Sequence, residues 1–276
     1  MAAPARPAVQ YLLVRYAKRG KMRFASHRDV GRAFERGVRR AALPIAHSGG
    51  FTPHPKISYA GGAPTGVASE AEYLSLALTS PQDPGLVRDR LDAALPDGID
   101  VIDVTEYSGG TLAGRLTASE WRVTLPGVSP DAAAAAARAF LSAAHVPVER
   151  ITSKGARRLD VRAAVVTMEL DQRRRGAYPY EGGALRIVVR HTEPAVRPDD
   201  VLTALRQVAG IVPAPPATVT RLAQGVLTGE DVAAGGAVAD GELIAGGTAA
   251  GGGDMAAGGA TADRQERAGF ASQERS

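Results

Sequence analysis

Between Tyr11 and Leu222 the apolar residues change period repeatedly, and they do so twice in the same order. This restricts the chain to folds in which a few amphipathic helices pack on a sheet. Tyr11–Ala17 is a β-branched and aromatic-containing run, followed by the turn Lys18-Arg19-Gly20-Lys21 and an extended segment Met22–Phe24. Ser26 can cap a helix, with Asp29 three residues on as the return arm of a capping box. That helix is expected to run to about Ala42 and stop before Pro44. At ~100° per residue, Val30, Phe34, Val38 and Ala41 fall on one side and Arg28, Arg32, Arg36 and Arg39 on the other. Ile57–Ala60 reads as a short strand, and Leu74, Leu76 and Leu78 alternate along a second one, Glu72–Leu78. A helix over Pro84–Leu95 and a strand over Ile99–Val104 complete the order β-α-β-β-α-β.

The order then nearly repeats. Trp121, Val123 and Leu125 alternate as a strand, and Ser129-Pro130 opens a helix to about Ala144. Val146–Thr152 is extended before a Lys154-Gly155 turn, and strands are expected over Leu159–Leu170 and Leu185–His191. A helix over Pro198–Val208 and a strand over Ala217–Leu222 close the set. The expected class is therefore α+β, with two tandem ferredoxin-like (βαββαβ) domains over residues 11–108 and 119–224, joined by a linker at 109–118. From about Thr228 periodicity gives way to Gly and Ala, so residues 225–276 are expected to form a disordered tail.

Composition sharpens this. A length of 276 residues suits about two domains. Aromatics are 5%, so the cores must be built from Ala, Val, Leu and Ile. The chain has no cysteine, which excludes disulfides, thiolate zinc sites, iron–sulfur clusters and cysteine nucleophiles. No apolar run approaches the ~20 residues that cross a bilayer, and Met1–Gln10 lacks the apolar core of a signal peptide, so a cytoplasmic protein without membrane partners is expected. The formal net charge is +4, but Met1–Ala60 holds twelve Lys or Arg against Asp29 and Glu35, +10 locally, which leaves −6 for the rest. Such asymmetry suggests a surface that meets a polyanion.

Several features could carry chemistry. Guanidinium forks bind phosphate oxygens bidentately, so Arg28, Arg32, Arg36, Arg39 and Arg40, with Lys56, form a candidate phosphate or RNA surface. Lys18, Arg19, Lys21 and Arg23 would extend it. The loop Pro44–Lys56 holds His47, Gly50, Phe51, Pro53, His54 and Pro55; the two prolines keep the neighbours of His54 extended. Phe51 is expected to anchor this loop in a pocket, with base stacking as the alternative. His27, Asp29 and His54 are the candidates for acid–base work, with no catalytic assignment. The histidine spacing matches no metal motif, and no cofactor or metal is expected. Gly61–Glu70 is Gly-rich but lacks a Walker or dinucleotide context; Glu70 and Glu72 are expected to pair with the basic helix. Basic residues in the second half, Lys154, Arg157, Arg158, Arg162 and Arg173-Arg174-Arg175 near Tyr178 and Tyr180, could extend an RNA path. Trp121 is expected in the core.

The stretch Arg23–Tyr73 resembles the bacterial radical SAM-linked proteins. The resemblance rests on Ser26-His27-Arg28-Asp29, Arg39-Arg40, the loop Gly50–Pro55 and the segment Gly66–Tyr73. It covers roughly Leu12–Leu222 and is most specific in the first half. It implies a radical SAM protein as partner and an RNA setting, and it supplies no catalytic residues. The expected function is a non-catalytic, RNA-facing accessory of a radical SAM enzyme. The alternatives are an RNA-processing enzyme using His27 and a pure protein–protein adaptor.

Overall fold

The computed structural model describes residues 6–109, 111–153, 155–171, 182–214, 216–229, 231–234, 238–239 and 242–243. Among the described residues the fold is mixed α+β, with five helices and a mostly antiparallel sheet. Strand β1 (Gln10–Lys18) leads through a 3-10 turn, Gly20–Phe24, to helix α1 (His27–Arg40). The expected extended segment Met22–Phe24 is thus helical. Gly20, at φ 52, turns the chain, Arg19 N–H donates to Gly98 O, and Met22 and Ala25 N–H close the 3-10 turns. Next come β2 (Ile57–Ala60), β3 (Ala68–Leu78), α2 (Pro84–Ala94) and β4 (Ile99–Glu106).

The second set is β5 (Ala118–Pro126), α3 (Pro130–Ser142), the hairpin β6 (Pro147–Thr152) and β7 (Gly155–Asp160), then α4 (Val161–Ala164), β8 (Val165–Leu170), β9 (Gly182–Arg190), α5 (Pro198–Ala209) and β10 (Thr218–Thr228). A single strand expected over Leu159–Leu170 is broken by α4. The Asp160 carboxylate accepts from the N–H groups of Val146 and Arg162, which caps that turn and ends β7.

Nine strands form one sheet, in the order β4-β1-β3-β10-β5-β9-β8, with β2 also paired to β3. The ninth, β11 (Asp231–Ala234), pairs with β10 from Gly225↔Ala234 to Thr228↔Asp231. Residues 225–228 and 231–234 are therefore sheet rather than tail. Most of the remainder of the expected tail, together with Lys154, Arg173, Arg174, Arg175, Tyr178 and Tyr180, lies outside the described residues. The first set of strands runs β4-β1-β3-β2 and the second β10-β5-β9-β8. They meet at β3. One edge of β3 is covered by β1 from Ser69 to Leu78; the other is shared by β2, along Tyr73–Leu76, and β10, which pairs in parallel at Thr220↔Ala68 and Arg221↔Ser69.

Each set has its own core, as alternation in the strands requires. Leu12, Val14, Leu74, Leu76 and Leu78 face Val30, Phe34, Val38, Val87 and Leu91. Val123, Leu125, Leu185 and Ile187 face Ala133, Ala136, Phe140, Val201 and Leu205, and Trp121 is in this core as expected. The opposite strand face of the first set carries Leu13, Ala71 and Tyr73, which gather Leu112 and Leu116. The expected linker 109–118 is thus packed down: Leu112–Arg115 is a 3-10 turn, and Thr117 N–H donates to Gly225 O.

Candidate functional site

Helix α1 begins as its sequence dictates. The Ser26 hydroxyl accepts from Asp29 N–H at 3.2 Å, and the Asp29 carboxylate takes Ser26 Oγ–H at 2.6 Å and Ser26 N–H at 3.3 Å. These hydrogen bonds, more than the nearby Arg32 and Arg28, hold the Asp29 carboxyl below its usual range. Asp29 is thereby occupied as a cap. The apolar stripe is buried through Val30, Ala33, Phe34, Gly37 and Val38. Rings are stacked edge-on along it, with Tyr16 and Phe34 4.7 Å apart, Phe34 and Tyr59 6.3 Å, and Tyr59 and His27 5.3 Å between centroids. His27 is exposed at the end of this row, beside Gly62.

Arg28, Arg32, Arg36, Arg39 and Arg40 are all exposed. Arg39 and Arg40 reach only backbone carbonyls, Glu35 O at 3.2 Å and Ala94 O at 3.2 Å. Among the described residues none of the five is in an ion pair, whereas Arg19, Arg88, Arg122, Arg150, Arg186 and Arg221 all are. The acids of α1 are used elsewhere, Asp29 in the cap and Glu35 half-buried near Tyr59. A row at four-residue spacing rises about 6 Å per step.

The loop after α1 is braced at its stem. His47 and Pro55 form a bridge, Ser48 N–H donates to His54 O at 2.8 Å, and His54 N–H donates to Ser48 Oγ at 3.0 Å. Ala46 N–H and Lys56 O tie the stem to Ala77. Above it Gly50 takes φ 109, which a side chain would resist. The pocket expected for Phe51 is not there: the ring is 107% exposed, at the top of a loop closed at its stem by His47 and Pro55, and residues 49–53 around it are all exposed. His47, Pro53, His54 and Lys56 are exposed too, and His47 Nδ1 meets Ile45 O at 3.0 Å. His27 stands apart on Tyr59, and among the described residues no group of three or more His, Asp or Glu could hold a metal ion.

Of the other cations expected to extend the row, Lys18 is drawn inward, Arg23 is half-buried, and Arg19 and Lys21 are exposed. Lys18 is 3% exposed and donates to Ala63 O at 3.0 Å; burial lowers the pKa of its ammonium, partly offset by Glu72. Arg19 pairs with Glu70 and Asp100, and the Glu70 hydrogen bond leads in raising its pKa. Neither Glu70 nor Glu72 pairs with α1. Glu72, on the same strand face as Leu74 and Leu76, ion-pairs with Arg221 of β10, the two side chains only 3% and 4% exposed. Arg221 also donates to Gly61 O, Gln224 Oε1 and Ser69 Oγ, and its guanidinium lies 5.4 Å from the Trp121 ring centroid. Glu72 accepts from Ala63 N–H at 3.1 Å. The Gly-rich loop is thus clamped from below by charges from both sets of strands. This cluster was not legible in the sequence, where Arg221 is one Arg in a polar strand.

In the second half, Arg157 and Arg158 are exposed on β7, while Arg162 is spent on Leu141 O and Val165 O. A family model described as an uncharacterized protein conserved in bacteria (DUF2344) matches residues 11–198. The chain belongs to this family. No curated protein matches it. No helix among the described residues is long and apolar enough to cross a membrane.

Proposed function

We propose that this family member is a non-catalytic, cytoplasmic accessory of a radical SAM enzyme, and that α1 binds the phosphate backbone of RNA. The observation that carries the RNA reading is the open arginine row. Five exposed guanidinium groups on one helix have no ion-pair partner among the described residues, in a protein whose other arginines include six that are paired. Unpaired like charges in a row repel one another, and an external polyanion relieves that. The radical SAM partner is supported by the resemblance over Arg23–Tyr73. The strand orders β4-β1-β3-β2 and β10-β5-β9-β8 support a reading of the fold as two tandem ferredoxin-like units sharing one sheet.

The test is RNA binding as a function of salt, for the parent and for Arg32→Ala/Arg36→Ala. The double variant is expected to bind many sequences more weakly and to reduce the salt slope by about 0.7 to 0.9 per lost phosphate contact. Its stability should stay within about 1 kcal/mol, since neither side chain enters the core. A parent that binds no RNA but loses its co-purifying enzyme in the double variant would favour an adaptor. RNA cleavage by the parent, abolished by His27→Ala, would favour the processing enzyme.

A further inference from the structure

Phe51 is the most exposed large apolar side chain among the described residues, at 107%, and Phe24 is also open, at 57%. Covering an apolar ring that stands in water is favourable, so both rings are available for a contact. Phe24 has a guanidinium against it, and Phe51 shares its loop with Lys56. Phe51 crowns the braced stem that also presents His47, His54 and Lys56. Phe24 lies two residues before the cap of α1, with the Arg23 guanidinium 4.6 Å from its ring centroid. The two phenylalanines thus flank the arginine helix in sequence, one just before its start and one on the loop that follows its end.

An exposed ring beside positive charge has a specific use. The face of an unpaired base stacks on it while cations take the neighbouring phosphates. In a duplex the base faces are already occupied, so the rings would have nothing to stack on. Resting on the RNA reading above, we infer that the ligand is single-stranded RNA and that Phe24 and Phe51 stack its bases. The arginines supply affinity for any polyanion, and the phenylalanines select unpaired strands.

The experiment uses the full chain, a fluorescein-labelled oligouridylate and a labelled RNA duplex of the same length. The parent should prefer the single strand. Phe51→Ala and Phe24→Ala should each weaken single-strand binding about 5- to 150-fold, the range of one lost stacking contact, and leave duplex binding unchanged. Phe51→Leu, apolar but without a π face, should not restore it. Thermal midpoints should not move for the Phe51 variants, which shows that the loss is not unfolding. Equal affinity of the parent for both RNAs, with phenylalanine variants that bind like the parent, would overturn stacking and leave the phosphate reading intact. Restoration by leucine, or a loss confined to a protein partner, would also overturn stacking. A parent that binds neither RNA would overturn both readings.

Discussion

Removing one member of the Glu72–Arg221 pair should be among the most damaging single changes this protein can suffer. Both side chains are nearly excluded from water, and Lys18, 3% exposed, adds a second cation to the same cluster. Glu72→Gln leaves Arg221 and Lys18 buried without a compensating anion. Arg221→Met leaves Gly61 O and Gln224 Oε1 without their guanidinium donor. Breaking a buried pair costs about 3–5 kcal/mol, since the partner left behind has lost both water and counter-charge. For a chain of this size that lowers the thermal midpoint by about 6–20 °C. Glu72→Met/Arg221→Met should recover part of the loss, since the guanidinium is no longer left without its anion, while Lys18 still lacks a counter-charge. Lys18→Met removes the surplus cation, and the Ala63 carbonyl it served is only partly buried, so it should cost under about 1 kcal/mol. Urea unfolding of these variants, with Glu72→Met added as the matching single change, gives the cycle. Single changes that each cost under about 1 kcal/mol and add in the double would refute the reasoning, as would a Lys18→Met as damaging as Glu72→Gln.

Further outcomes follow from other parts of the molecule. Burial lowers the pKa of His191, outweighing its hydrogen bond to Leu116 O, so the unfolded chain binds its proton at a higher pH than the folded one. The protein should therefore lose stability as pH falls below about 6.5 towards the folded value, and His191→Gln should flatten that part of the pH–midpoint curve. Ser26→Ala should cost about 1 kcal/mol of stability by thermal unfolding and leave the arginine row in place. Truncation after Thr228 removes β11 from the edge of β10 and should lower the midpoint measurably; an unchanged midpoint would mean that the pairing adds nothing.

What could be read from the sequence was local. The α1 cap needs only Ser26 and Asp29, and the two faces of α1 need only a 3.6-residue period, so both were legible. The strands Ile57–Ala60 and Ala68–Leu78 were legible through alternation, although the second begins earlier than its leucines suggest. Three features were not. Asp160 breaks a strand by capping α4, which depends on how β7 lies against Val146. Phe51 is hydrophobic enough to suggest a pocket, but its ring stands exposed at the top of a loop closed at its stem by His47 and Pro55. Glu72 and Arg221 are 149 residues apart, and nothing near either one announces the other.

The parallel contact between β3 and β10 also sets the order in which the chain can finish folding. Ser69 and Arg221 are separated by 152 residues, which at ~5–20 residues per second is roughly 8–30 s of synthesis. Through that interval β1 to β4 can assemble, but part of one β3 edge stays bare and Glu72 remains without Arg221. An open edge accepts any strand of suitable register, including β10 from another nascent chain. A strand made late in synthesis is thus the one that seals the first half, so crowded synthesis or rapid refolding at high concentration would yield intertwined dimers in which each chain lends its β10 to the other.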